Sequence, residues 1–161
     1  MGNQCYTCFV AGTPVETERG PRPIETILPG DRVRSFDTAT GQSSWREVLK
    51  LEQRTAPALV AVSIGLGPAI DVSPEHYFWV FGSGWVRASD LAVDDELVAT
   101  TKGAPVRVTA LASLTTPPSG LSVYNLVVEG FNNYFVGAIP VLVHSCSYMG
   151  FSSLAESDLP Q

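Results

Sequence analysis

Gly20-Pro21-Arg22-Pro23-Ile24-Glu25-Thr26-Ile27-Leu28-Pro29-Gly30-Asp31-Arg32-Val33 decides the fold. The same pattern returns without gaps, 64 residues on, as Gly84-Trp85-Val86-Arg87-Ala88-Ser89-Asp90-Leu91-Ala92-Val93-Asp94-Asp95-Glu96-Leu97. In each copy an apolar pair, Ile27 and Val33 or Leu91 and Leu97, brackets a turn ending in Asp31 or Asp95. That grammar predicts a short helical turn feeding a strand, and its recurrence predicts a duplicated, pseudo-twofold architecture.

Working outward, the remaining signals are strands: Asp31 to Phe36, Val60 to Ile64, Tyr77 to Phe81, Val106 to Leu111, Val123 to Val128 and Tyr134 to Val136. Each run is short, β-branched or aromatic, and closed by Gly, Pro, Asp or Ser. Asp37-Thr38-Ala39-Thr40-Gly41 and Phe81-Gly82-Ser83-Gly84 read as hairpin turns. No apolar 3.6-residue period lasts beyond about two turns, and 14 Gly and 12 Pro punctuate the chain, so an all-β fold is expected.

The 161 residues suit one domain with a core of its own. A hydrophobic fraction of 45% against 16% charged is too apolar for disorder. Ten basic residues against sixteen acidic ones, a net charge of −6, give no general attraction to a phosphate backbone, so no nucleic-acid partner is expected. The longest apolar runs, such as Ala138 to Val143, fall far short of the ~20 residues of a spanning helix, so no membrane partner is expected either. The first residues lack the basic and apolar regions of a secretory signal, and Tyr6 breaks the myristoylation pattern that Gly2 begins.

Three cysteines, Cys5, Cys8 and Cys146, lie near the two ends of the chain and none in its middle. An odd number makes no disulfide framework, and the clustering places the chemistry at the ends. Four blocks occur in order: Cys8-Phe9-Val10-Ala11-Gly12-Thr13-Pro14-Val15; Ser73-Pro74-Glu75-His76 before an aromatic strand; Val123-Tyr124-Asn125-Leu126-Val127-Val128-Glu129-Gly130 with Tyr134-Phe135-Val136-Gly137; and Val141-Leu142-Val143-His144-Ser145-Cys146. Together they resemble the Hint domains of inteins, bacterial intein-like and polymorphic-toxin modules and Hedgehog autoprocessing domains. The resemblance spans Cys8 to Ser145. It implies an all-β, pseudo-twofold horseshoe whose two ends converge on one active site, acting as a monomer. It also implies three parts: an upstream flank over residues 1–7, a self-processing domain over 8–145 and a downstream flank over 146–161.

The chemistry follows from residue types. An amide is resonance-stabilised, so its cleavage needs a nucleophile held against the carbonyl, and the residue just after the bond is well placed. Cys8 would attack the Thr7 carbonyl and exchange the amide for a thioester, which water or a thiol opens readily. The departing nitrogen needs a proton. The resemblance assigns that donor to His76, whose range near neutrality suits proton transfer, and assigns to the Ser73 hydroxyl a hydrogen bond in the scissile region. A histidine beside an aromatic strand is ordinarily a core residue. Its co-occurrence with Cys8 and the end block favours the catalytic reading. No cofactor is implied; the substrate is the chain's own flanking peptide.

The downstream end departs from the family pattern. Splicing there relies on a terminal Asn that cyclises on its own carbonyl; this chain has Ser145, which has no amide nitrogen to cyclise, whatever His144 contributes. Cys146, the acceptor for transesterification, is present. Asn125 stands where inteins often carry Asp, and Asn132 where a second histidine is frequent. Restoring Asn at position 145 would be expected to permit splicing or C-terminal cleavage.

Cys5-Tyr6-Thr7-Cys8 is a Cys-x-x-Cys, so a Cys5–Cys8 disulfide could gate the nucleophile, or Cys5 could be incidental. A zinc site from Cys5, Cys8, Cys146 and His144 would consume the catalytic groups and is not expected. Two functions remain in view: a single-turnover self-cleaving domain, or a degraded Hint domain serving as a connector in a larger bacterial protein. Neither an endonuclease insertion nor a sterol-binding companion is expected from this length and the 64-residue repeat spacing. The resemblance implies a bacterial source, cytoplasmic or within a larger exported protein.

Overall fold

The computed structural model describes residues 7–99 and 105–145. Cys5, Cys146 and the flanks over 1–6 and 146–161 lie outside the described residues, and with them the disulfide, transesterification and zinc expectations. The strands are β1 (Phe9–Val10), β2 (Pro14–Thr17), β3 (Gly20–Pro23), β4 (Arg32–Phe36), β5 (Ser43–Ala56), β6 (Ala58–Ile64) and β7 (Ala69–Val72). They continue as β8 (Tyr77–Val80), β9 (Gly84–Arg87), β10 (Glu96–Val98), β11 (Pro105–Thr115), β12 (Leu121–Val128), β13 (Asn133–Val136) and β14 (Val141–His144). No α-helix occurs among the described residues, and none is long and apolar enough to cross a membrane.

The two copies of the repeat fold alike. β3 and β9 are each followed by a single 3-10 turn, Ile24–Thr26 and Ala88–Asp90. Asp31 accepts the Leu28 N–H through its carboxylate at 2.9 Å, and Asp95 does the same for Ala92 at 2.9 Å. The Asp backbone carbonyls then accept the N–H groups of Val48 at 2.8 Å and Val108 at 2.9 Å. At both valines the sheet register shifts, so each β-bulge sits where the repeat turn plugs into a long strand. The apolar positions of the turns, Ile24, Ile27, Ala88 and Leu91, all enter one core with Phe9, Phe78, Leu97 and Tyr134.

The long strands explain how one sheet serves two halves. β5 pairs with β4 over its first residues and with β12 over the rest; β11 passes likewise from β10 to β6. The path runs β10-β11-β6-β7-β1-β12-β5-β4-β2-β13-β14-β8-β9, and a further β10–β8 pairing closes it on itself. The β13/β14 hairpin sits centrally, taking β2 on one side (Val136 opposite Val15) and β8 on the other (Val143 opposite Phe78). β1 is held between β7 and β12, whereas the last strand, β14, lies between β13 and β8.

Candidate active site

Strand register aligns the site. Phe9 is paired with Val72 on one side and Tyr124 on the other, which brings the preceding residue, Cys8, level with Ser73 and Asn125. Asn125 is in turn opposite Glu52 of β5. Ser73 and Cys8 bond twice: the Cys8 N–H donates to Ser73 Oγ at 2.8 Å, and the Ser73 N–H donates to the Cys8 carbonyl at 2.9 Å. The spacing of Ser73-Pro74-Glu75-His76 is that of one β-turn, closed by the His76 N–H on the Ser73 carbonyl at 3.1 Å, with Pro74 at the position that favours proline.

Asn125 completes the cradle. Its Nδ2 donates to the Thr7 carbonyl oxygen at 2.6 Å and to Thr7 Oγ1 at 3.2 Å. Its Oδ1 is held by the Leu126 N–H at 2.8 Å and by the hydroxyl of Tyr134. Both residues are wholly buried, and burial, then the neighbouring Cys8, keeps the Tyr134 phenol protonated well above its ordinary range.

Cys8 carries a free, fully buried thiol. Burial pushes it up to about 12, opposed by the Arg54 guanidinium and assisted by the Glu52 carboxylate. That carboxylate, itself buried, is clamped by Arg54 at 3.1 Å and Lys50 at 3.2 Å along one face of β5. An open cavity of about 490 Å³ lined by Arg54, Ala56, Ser73, Glu75 and Val123 adjoins the row.

His76 lies between the first and last strands, β1 and β14. Its ring packs at 4.3 Å on Phe9, next to Cys8, while Nε2 lies 2.8 Å from the His144 carbonyl. A carbonyl only accepts, so Nε2 carries the proton and Nδ1 bears the bare lone pair; Nδ1 is buried and without a hydrogen-bond partner. Burial depresses this imidazole to about 3, the neighbouring His144 adding to the depression and the hydrogen bond opposing it. The expected contact of His76 with the scissile amide is therefore not the one observed. Ser73 accepts the Cys8 N–H, and a neutral His76 has no proton at Nδ1 to give.

At the downstream end, His144 is buried edge-on to Trp85, ring centroids 4.9 Å apart, and its Nδ1 donates to the Ser145 carbonyl at 2.7 Å. The Ser145 N–H donates to the Asn132 carbonyl at 2.8 Å, and Ser145 Oγ is buried with no partner. Asn132 has φ of 60°, a left-handed conformation that Asn tolerates better than most residues, so its backbone has a reason to be Asn at this position. Tyr134, Glu52 and Arg54 are neighbours that residue-type reasoning missed. Tyr134 lies within a quoted block, and the Lys50, Glu52, Arg54 spacing of two, one strand face, was the available signal for the others.

This fold and this row of residues define a Hint-type domain. The match to the pretoxin Hint domain family covers residues 14–145, and the chain belongs to that family. A bacterial intein-like domain from Clostridium thermocellum is 33% identical, covering 86% of this chain and 98% of its own, with a TM-score of 0.80. A DnaB intein from Synechocystis sp. PCC 6803 shares the fold at 14% identity and a TM-score of 0.75, covering 88% of this chain and 99% of its own. The gp41-1 intein does so at 21% identity and 0.69, covering 86% and 98%. No curated protein matches the sequence. Membership implies autoprocessing as the general activity, directed at the chain's own flanking segments.

Proposed function

We propose that the domain converts the Thr7–Cys8 amide to a thioester by attack of the Cys8 thiol on the Thr7 carbonyl, releasing the upstream segment when a nucleophile opens the thioester. The observation that carries this reading is the 2.6 Å donation from Asn125 Nδ2 to the Thr7 carbonyl oxygen, a donor aimed where negative charge develops in the tetrahedral intermediate.

The proton balance brings in His76. The thiol proton must end on the departing Cys8 nitrogen, and the bare Nδ1 of His76 is the carrier: it takes the proton and then supplies the acid expected of this residue. Burial raises the thiol and lowers the imidazole, so both rest uncharged and the proton moves as the C–S bond forms. Ser73 fixes the nitrogen throughout. Downstream, Ser145 in the terminal position removes Asn cyclisation, so upstream cleavage is the principal outcome.

The test is intact-mass measurement of the purified chain with dithiothreitol, beside Cys8→Ala. Loss of residues 1–7 from the Cys8 protein alone is the expected result. An unchanged mass in a folded protein would favour the alternative, a degraded Hint domain acting as a connector.

A further inference from the structure

Two features of the downstream end are left unused by the thioester reading. Ser145 Oγ is buried without a hydrogen-bond partner, although its residue is only 2% exposed. Leaving a buried hydroxyl this way is unfavourable, and orphaned groups of this kind mark strain or chemistry. The carbonyl just before it, that of His144, receives the Nε2–H of His76 at 2.8 Å. This proton comes from a side chain held within the core on Phe9 and Phe78, at ring distances of 4.3 and 6.3 Å, so the donor is preorganised.

We propose that the His144–Ser145 peptide bond is a second self-cleavage site, at which Ser145 Oγ attacks the His144 carbonyl in an N-to-O acyl shift. Oγ, Cβ, Cα, N and the carbonyl carbon close a five-membered ring, so nucleophile and electrophile are joined within one residue step. The C–O bond forms as the C–N bond breaks. The hydroxyl proton ends on the departing Ser145 nitrogen, and the negative charge on the His144 oxygen is met by His76 Nε2–H. The product is an ester between the His144 acyl group and Ser145. Water or an added nucleophile then opens it, leaving a chain ending at His144 and a peptide with a free amine on Ser145. The Ser145 N–H bond to the Asn132 carbonyl anchors the nitrogen side while the acyl group moves. Serine, useless for succinimide formation, thus has a nucleophilic role of its own at this position.

Thiols open thioesters but are poor at oxygen esters, whereas hydroxylamine opens both, so the two sites separate by reagent. The test uses the full chain carrying Cys8→Ala, which removes the upstream reaction, incubated with hydroxylamine or dithiothreitol and read by intact mass. The expected result is a 1–144 hydroxamate and the peptide Ser145–Gln161 with hydroxylamine only. Ser145→Thr, which keeps a hydroxyl, retains the fragment, and Ser145→Ala loses it while its circular dichroism stays native. Persistence of the fragment in folded Ser145→Ala would overturn the proposal. So would scission after Ser145, giving Cys146–Gln161, or no fragment from a folded Cys8→Ala protein. None of these outcomes bears on thioester formation, which is read separately from residues 1–7 with Cys8 present.

Discussion

Ser73 and Cys8 are joined by two hydrogen bonds, the Cys8 N–H on Ser73 Oγ at 2.8 Å and the Ser73 N–H on the Cys8 carbonyl at 2.9 Å. One residue therefore holds both sides of the nucleophile's backbone. Ser73→Ala keeps the second bond and orphans the buried Cys8 N–H, so denaturant unfolding should register a loss of about 1–3 kcal/mol. Ser73→Thr, with the hydroxyl retained, should recover the cleavage rate. Equal rates for Ala and Thr would remove the hydroxyl from the site.

Asn125→Ala deletes the donor to the Thr7 oxygen. Upstream cleavage should slow by roughly 10²–10³, as for loss of one oxyanion donor. Tyr134→Phe leaves that donor in place and only loosens its orientation, so it should slow cleavage less than Asn125→Ala when single-turnover rates are compared by mass spectrometry.

Between pH 5 and 10 the resting thiol is protonated, with its titration near 12, and His76 is neutral, with its titration near 3. Neither group changes state in that window, so the wild-type rate of thioester formation should be nearly flat. His76→Gln should be slower and should climb about tenfold per pH unit, because attack then depends on thiolate made by solvent. A wild-type profile with that same slope would remove His76 as the proton carrier.

The same histidine makes the fold acid-sensitive. Its folded value of about 3 lies below the unfolded 6.5, so the folded state binds fewer protons, and the stability contributed above 6.5 is lost as pH falls toward 3. One proton of difference gives a slope of about 1.4 kcal/mol per pH unit. Urea midpoints for the wild type should fall across this window, and those for a folded His76→Gln variant should fall less.

Asp94 and Gly30 occupy corresponding places in the repeat with φ of 79° and 96°. Glycine takes this conformation without penalty and aspartate does not. Asp94→Gly should stabilise by about 0.5–1 kcal/mol and Gly30→Ala should destabilise by at least as much, both measured by thermal or urea unfolding.

The repeat made the architecture legible, because Ile24, Ile27, Ala88 and Leu91 are both the apolar marks of the pattern and the side chains that anchor its turns in the core. β5 was not legible. Ser43–Ala56 carries Arg46, Glu47, Lys50, Glu52 and Arg54, and much of it is solvent-exposed as it passes from one half of the sheet to the other, so no clean alternation appears. The row of Ser73, Cys8 and Asn125 could be listed from residue types but not assembled, since it depends on the β1 register against β7 and β12. His76 illustrates the limit of residue type. Its usual acidity suggested a ready proton donor, and only its complete burial and the His144 carbonyl reveal which nitrogen is bare.

The closed strand path has a consequence for any polypeptide interrupted by this domain. Phe9, two residues after Thr7, and His144, the residue before Ser145, meet on a single imidazole, that of His76. Peptide arms joined at these two positions would therefore share a very short tether, which sets a high effective concentration of one for the other, independent of protein concentration.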